Sequence, residues 1–273
     1  MNNFEKKMVD TLTDLKENYF VSGIKAEFEA EGTRLEEALR LKDVCSAAGI
    51  PLTIKIGGCE ALRDMYECRV IGVNRIVAPM IESAYALKKF IASTKLAYPV
   101  EERDQVVFLA NIETLTAFNN FDEMLSLPEI DSLGGIVFGR HDFGGSIGVQ
   151  GDDFNSDEIL SYVKIILAKA KAKNKKMQTV VGGGVSANAL PFLRSIEPGM
   201  LDRYETRKVI FDCPDALNEK ASDGILKAVG FELLWLKNKQ NFYSAISMED
   251  NQRIITLEAR YKHSIASIGG KYE

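Results

Sequence analysis

The sequence is poor in the features that define several protein classes. Its 273 residues include four cysteines, Cys45, Cys59, Cys68 and Cys213. They show neither CxxC spacing nor the density of a secreted disulfide scaffold, and read as reduced core thiols. No run approaches about eighteen apolar residues, so no membrane span is expected. The stretch MNNFEKKMVDTLTDLKENYF is charged throughout and lacks the apolar segment of a signal peptide, which predicts a soluble, cytoplasmic protein. A basic block is also missing. Lys plus Arg number 34 against 39 Asp plus Glu, a formal charge of −5, which argues against a nucleic-acid partner. The lysine-rich stretch 164–176 reads as the solvated face of a helix. No proline-rich or low-complexity linker divides the chain, so residues 1–273 read as one domain. What is present is an average globular composition, 46% hydrophobic and 27% charged, enough for a sizeable core.

Apolar, β-branched runs recur about every thirty residues, each followed by helical periodicity. They are FVSGIKAEF (20–28), PLTIKI (51–56), RIVAPMI (75–81), VVFLANI (106–112), GGIVFG (134–139), MQTVVGG (177–183) and LDRYETRKVIF (201–211). Continuous apolar runs suit parallel strands buried on both faces. Helices are expected at 3–18, where Phe4, Met8, Leu12 and Leu15 form one stripe, and at 82–93, 115–127, 156–173 and 186–194. Thr33 and Glu36 have capping-box spacing before LEEALRLKDVCSAAG, which ends at Gly49 and Pro51. The pattern predicts an α/β fold, a (β/α)8 TIM barrel, with a doubly wound sheet as the alternative. Residues 1–19 form an N-terminal helix expected to close the barrel bottom. The eighth strand is the weak point, since 200–211 can supply one long strand or two short ones. Helices at 215–239 and 250–261 follow.

In a parallel barrel the site lies at the carboxyl ends of the strands. The polar residues there are Lys25, Glu27 and Glu29, then Lys55 and Glu60, Glu82, Glu113, the group Arg140, His141 and Asp142, then Gly182–Gly184 and Ser186, and last Glu205 and Arg207. Glu113 and Asp142, from adjacent strands, form a hard-oxygen pair of the kind Mg²⁺ or Mn²⁺ accepts. Equally, each could cap the helix or turn that follows it. The glycine-rich GRHDFGGSIG (139–148) could hold an anion on its backbone amides or be a tight turn only. His141 reads as a hydrogen-bonded loop residue sooner than a base. Lys55 could form a Schiff base if burial lowers its pKa, although an ion pair with Glu29 or Glu60 is favoured. Arg207 and Glu205 could pair with each other.

RIVAPMIESAYAL (75–87) followed by NIETLTAFNNFDEMLSLPEIDSLGGIVFGRHDFGGSIG (111–148) resembles the HpcH/HpaI aldolase and citrate lyase β family of pyruvate-handling TIM barrels. The resemblance implies a divalent metal, Mg²⁺ or Mn²⁺, on the carboxylates matching Glu113 and Asp142. It also implies a 2-oxo acid substrate whose enolate that metal stabilises, and a substrate carboxylate held by the backbone of the GRHD turn. The chain departs from the family where a histidine base follows strand one, reading KAEFEAEG, and where an arginine follows strand two, reading IKIGG with Lys55 in that place. Arg140-His141 replaces the small or proline residues common before the aspartate, which points to a more anionic substrate. On this reading Lys55, Glu29 and Arg140 carry the catalysis, and Gly139, His141, Lys25 and Glu82 bind substrate. The expected function is a metal-dependent carbon–carbon lyase. A lyase or thioesterase on an acyl-CoA, and a non-catalytic binding or assembly barrel, are the alternatives. The family's tendency to exchange C-terminal helices predicts a homo-oligomer in which residues 245–273 reach a neighbouring subunit, with Leu234, Trp235 and Phe242 exposed on a lone barrel.

Overall fold

The computed structural model describes residues 1–149 and 153–267. Eight strands close into one barrel in sequence order: β1 (Val21–Glu27), β2 (Leu52–Lys55), β3 (Arg75–Ala78), β4 (Val107–Ile112), β5 (Gly135–Gly139), β6 (Gln178–Gly182), β7 (Arg203–Glu205) and β8 (Val209–Asp212). The expected TIM-type barrel is therefore present. Strands β1 to β7 are parallel, whereas β8 runs antiparallel to both β7 and β1. The reason is connection length. Only residues 206–208 join β7 to β8, and a parallel crossover needs about a dozen or more. The seventh apolar run therefore supplies two short strands folded as a hairpin, clasped by Thr206, whose hydroxyl accepts from the Val209 N–H at 3.1 Å.

Reversal of β8 sets the course of the chain's end. The C-terminal helix Ala221–Ser267 starts at the barrel bottom and runs towards the mouth, antiparallel to the N-terminal helix Asn3–Tyr19: Lys227 pairs with Asp14, and Asn2 Nδ2 donates to Asn238 Oδ1 at 2.7 Å. The N-terminal helix accordingly lies in the outer ring between the C-terminal helix and Leu35–Ala48, and does not close the bottom. Its stripe buries Met8, Leu12 and Leu15, with Phe4 only partly covered. The two helices expected at 215–239 and 250–261 are one continuous helix, since residues 239–250 contain no glycine or proline to stop it. Trp235 is buried and Leu234 partly so, against expectation, because this half of the helix packs on its own barrel. Beyond it Phe242, Ile246, Met248, Ile254, Ile255, Leu257 and Tyr261 are exposed. Residues 268–273 of the expected 245–273 extension lie outside the described residues. Among the described residues no helix is long and apolar enough to cross a membrane.

Local signals moved by small steps. The capping box sits at Arg34 and Glu37, one residue later than Thr33 and Glu36, with the Arg34 N–H donating to Glu37 Oε2 at 3.2 Å. A box not foreseen, Asn2 with Glu5, starts the N-terminal helix. The expected helix 115–127 breaks at Asn120 into Leu115–Asn119 and Phe121–Leu125, and 186–194 keeps only Leu190–Arg194 as α-helix. Residues 140–146, expected as a turn, form a short helix.

Val77, Leu109, Val137 and Val180 meet on the barrel axis, while outward strand residues, Ile54, Ile76, Ile136 and Val181 among them, join the core beneath the helices. Full burial of each such side chain contributes about 1.5–3 kcal/mol. The axial layer separates a charged mouth from a charged floor.

Candidate active site

Alternation along the strands carries Lys25 and Glu27 of β1, Lys55 of β2, Asn111 and then Glu113 at the end of β4, and Glu205 of β7 into the mouth, all of them buried. Register places Glu27 beside Lys55. The Lys25 ammonium lies 2.5 Å from Glu205 Oε1 and 3.2 Å from Glu27 Oε1. Lys55 Nζ lies 3.0 Å from Glu29 Oε2 and 3.7 Å from Glu113 Oε2. Two lysines thus face four carboxylates in a layer largely shut off from water. Above it, Lys208 pairs with Glu31, and Arg207 reaches Glu31 at 3.2 Å.

Glu113 is the most enclosed of these acids, at 1% exposure. Oε1 accepts the Met80 N–H at 2.9 Å and Oε2 accepts Asn111 Nδ2 at 2.6 Å. Met80, in the PMIE stretch, holds a left-handed φ of 49°, a costly conformation for a side-chain-bearing residue, and with it turns its amide to Glu113. Room for the carboxylate comes from Gly139: a Cβ there would stand 2.7 Å from Glu113 Oε2. Gly182 makes room for Glu205 in the same way, at 2.8 Å from its Oε1. Gly139, expected to bind substrate, therefore acts first as the space beneath Glu113.

Burial raises the Glu113 pKa; Lys55 and the Met80 amide oppose this only in part, and the negative charge of Asp142 adds to it. Burial works against the Lys25 and Lys55 ammoniums, but Glu205 and Glu27 outweigh it for Lys25, and Glu113 and Glu29 for Lys55, so both pKa values are raised. A Schiff-base lysine needs the opposite shift, and Lys55 is a fixed cation. It pairs with Glu29 and not with Glu60, whose partner is Lys89 at 2.7 Å. For Glu27, burial is outweighed by Lys25 and then Lys55, which lowers the pKa. A carboxylate lowered in the folded state contributes stability above its ordinary value of about 4.3, and loses it as pH falls through the folded value. Glu27→Gln is expected to flatten the acid limb of Tm against pH; a limb of unchanged steepness would remove this role.

The helix-cap alternative for Glu113 does not hold, because the neighbouring Thr114 is the cap, its hydroxyl accepting the Ala117 N–H at 3.0 Å. Asp142 lies in the first turn of the short helix, where Gly139 occupies the cap position. Asp142 and His141 are both exposed, with His141 Nδ1 3.7 Å from Asp142 Oδ1 and its ring against Phe154. Glu82 accepts the Thr114 hydroxyl at 2.7 Å and ties the β3 and β4 loops together. Glu205 pairs with Lys25 and not with Arg207.

Arg140 needs correction as a catalytic candidate. It is 0% exposed, and donates to the Gly182 carbonyl at 3.2 Å, the Gly183 carbonyl at 2.9 Å and Asn155 Oδ1 at 2.6 Å. Its guanidinium lies 4.9 Å from the centre of the Phe192 ring. All three nitrogens are engaged in clamping the end of β5 to that of β6. Two residues not singled out from the sequence, Asn111 and Lys208, belong to the mouth; the two-residue spacing of Asn111 from Glu113 was the signal for the first.

The donor set suits a hard divalent cation. Glu113 and Asp142 supply carboxylate oxygens, and Asn111 Oδ1 is a buried amide oxygen with no hydrogen-bond partner among the described residues. Among those residues no three His, Cys, Asp or Glu converge as ligands.

No curated protein matches the sequence. Among solved structures, an HpcH/HpaI aldolase/citrate lyase family protein from Burkholderia cenocepacia J2315 has a TM-score of 0.58 at 12% identity, covering 73% of this chain and 83% of that one. The citrate synthase SbnG has a TM-score of 0.58 at 14% identity, covering 86% and 90%. At these identities the likeness shows a shared fold. Residues 58–189, which run from the loop after β2 to the 3-10 turn after β6, match the family described as HpcH/HpaI aldolase/citrate lyase, a family of lyase-type enzymes, and the closed barrel of this chain agrees with that match.

Proposed function

We propose that this barrel is a divalent-metal-dependent carbon–carbon lyase acting on a 2-oxo acid. The observation that carries the reading is the mouth's small excess of negative charge, Glu27, Glu29, Glu31, Glu113, Glu205 and Asp142 against Lys25, Lys55, Lys208 and Arg207, centred on an acid whose pKa is already pushed up. Glu113 and Asp142 would hold Mg²⁺ or Mn²⁺. When bound, the ion would supply Lewis-acid polarisation of a 2-oxo group. Lys55, kept protonated by its acidic neighbours, places a point charge where negative charge develops on the substrate oxygen. It lacks the fork of an arginine and cannot grip two oxygens in one plane. Glu29, half-buried and 3.0 Å from Lys55 Nζ, stands at the edge of the mouth as the proton acceptor where the family has histidine. Met80 and Asn111 hold Glu113 in place, and the Arg140 clamp keeps the β5 and β6 ends at fixed separation.

The test is proton-to-deuterium exchange of the pyruvate methyl group in D₂O, with Mg²⁺ or Mn²⁺ and then with EDTA. It needs no knowledge of the second substrate. Metal-dependent exchange supports the reading. Metal binding without exchange turns to a CoA thioester, and no metal binding turns to a non-catalytic barrel.

The same proposal includes a homo-oligomer built through the exposed half of the C-terminal helix. The apolar residues from Ile246 to Tyr261 face solvent on a segment that leaves the barrel on its mouth side. Deleting residues 245–273 is expected to lower the mass measured by light scattering, and an unchanged mass would remove the role.

A further inference from the structure

Between the charged mouth and the charged floor the barrel axis is not wholly apolar. Arg75 opens β3 and Arg203 opens β7, so both lie at the floor, whereas Glu205 ends β7 in the mouth. Register pairs Thr53 of β2 with Lys25 on one side and with Arg75 on the other, which sets Thr53 between the two layers. Thr53, Arg75, Arg203 and Glu205 are the polar lining of one small cavity on the axis, and Ile210 and the axial aliphatic residues complete it. The centre of a water-sized sphere has about 10 Å³ of room there, the lower bound for holding one water and too little for a larger ligand.

Thr53 points to an occupant. The residue is 1% exposed, and its Oγ1 has no hydrogen-bond partner among the described residues. An unpaired hydroxyl inside a protein costs free energy, and buried polar groups that lack a protein partner are commonly satisfied by ordered water. The charged groups beside it have capacity to spare. Glu205 Oε1 accepts from Lys25 Nζ at 2.5 Å, while its second oxygen takes part in no hydrogen bond among the described residues. Arg203 donates through Nε to Asp212 Oδ1 at 2.7 Å and through Nη1 to Gln178 Oε1. Arg75 makes one hydrogen bond among those residues, from Nη1 to the Ser22 carbonyl, and it is 3.5 Å long. Gly23 leaves the slot that Arg75 fills, since a Cβ there would stand 3.0 Å from Nη1. Burial, and then repulsion from Arg203, push the Arg75 pKa down to about 10, with Asp212 and Glu205 acting the other way, so Arg75 is charged at neutral pH.

We propose that this cavity is a binding site for a single internal water that pairs with Thr53 Oγ1 and bridges Glu205, in the mouth, to the guanidiniums of the floor. The water accepts from a guanidinium N–H and donates to the Glu205 carboxylate, and the Thr53 hydroxyl takes up its remaining capacity, which gives it the two to four polar partners a buried water needs. Glu205 is then held from below as Lys25 holds it from above. The site rests on the cavity and on Thr53, and stands whether or not the mouth binds metal.

The test is a crystal structure of the full chain at a resolution that shows ordered water, together with thermal unfolding of Thr53→Val, which keeps the shape of the side chain and removes the hydroxyl. Density for one water is expected within hydrogen-bond distance of Thr53 Oγ1 and of Glu205 and a floor guanidinium. With the water in place, Thr53→Val deletes one of its hydrogen bonds, and Tm should fall by about 2–4 °C. In a dry cavity the same substitution would delete an unpaired hydroxyl, and Tm would rise. A wild-type cavity without density, or a Thr53→Val protein that unfolds no earlier than wild type, would overturn the assignment.

Discussion

Glu113→Gln is expected to lower metal-dependent exchange of the pyruvate methyl protons by at least about a hundredfold, the scale set by losing one preorganised electrostatic contact in a buried site, and to abolish metal binding in calorimetry. The fold should survive. The new amide oxygen can keep the Met80 N–H, which now donates to Oε1. Asn111 can turn its amide so that Oδ1, unpartnered at present, accepts from the NH₂ group that the substitution introduces. Because the Glu113 pKa is raised in the folded state, its ionised form is the costly one, and a neutral side chain relieves that cost. Unchanged or slightly higher Tm with lost exchange is therefore the expected pair of results. Asp142→Asn should also lose exchange, with less effect on Tm because Asp142 is exposed. Full exchange in either variant would remove the metal assignment.

The second large effect is structural. Arg140→Met should cost about 2–6 kcal/mol in urea denaturation, since it leaves the Gly182 and Gly183 carbonyls without their donor inside the protein, at about 1–3 kcal/mol for each. Methionine fills part of the volume against Phe192 and cannot donate. Gly182 lies against Glu205 Oε1, so loosening the β6 end would reach the mouth through the Glu205 and Lys25 pair, and activity should fall along with stability. Arg140→Lys should recover little, because one ammonium cannot span two carbonyls and Asn155. Full stability with lost turnover would instead return Arg140 to the catalytic residues.

The strand runs, the barrel and the motif-bearing segment 75–148 were legible because they depend on local composition and spacing, and Glu113 was legible from its place after a strand. The Lys55–Glu29 pair was open to the same reasoning, since both lie at neighbouring strand ends. Arg140 was misread for a physical reason. Position after β5 suggests the mouth, but the first turn of a helix rotates that side chain sideways onto β6, and nothing in GRHDFGG shows which way it turns. The pairing of Glu205 with Lys25, which are 180 residues apart, depends on how the barrel closes.

Apolar periodicity and residue order alone determined a succession of βα units with carboxylates and lysines at the strand ends, because run length and spacing are properties of the chain itself, while closure into a barrel was an expectation beside a doubly wound sheet. Only the tertiary structure decided which charges neutralise one another, that β8 turns back as a hairpin, and that the last helix therefore leaves on the mouth side. These outcomes follow from barrel closure, which sets distances between residues far apart in sequence and removes water from between them.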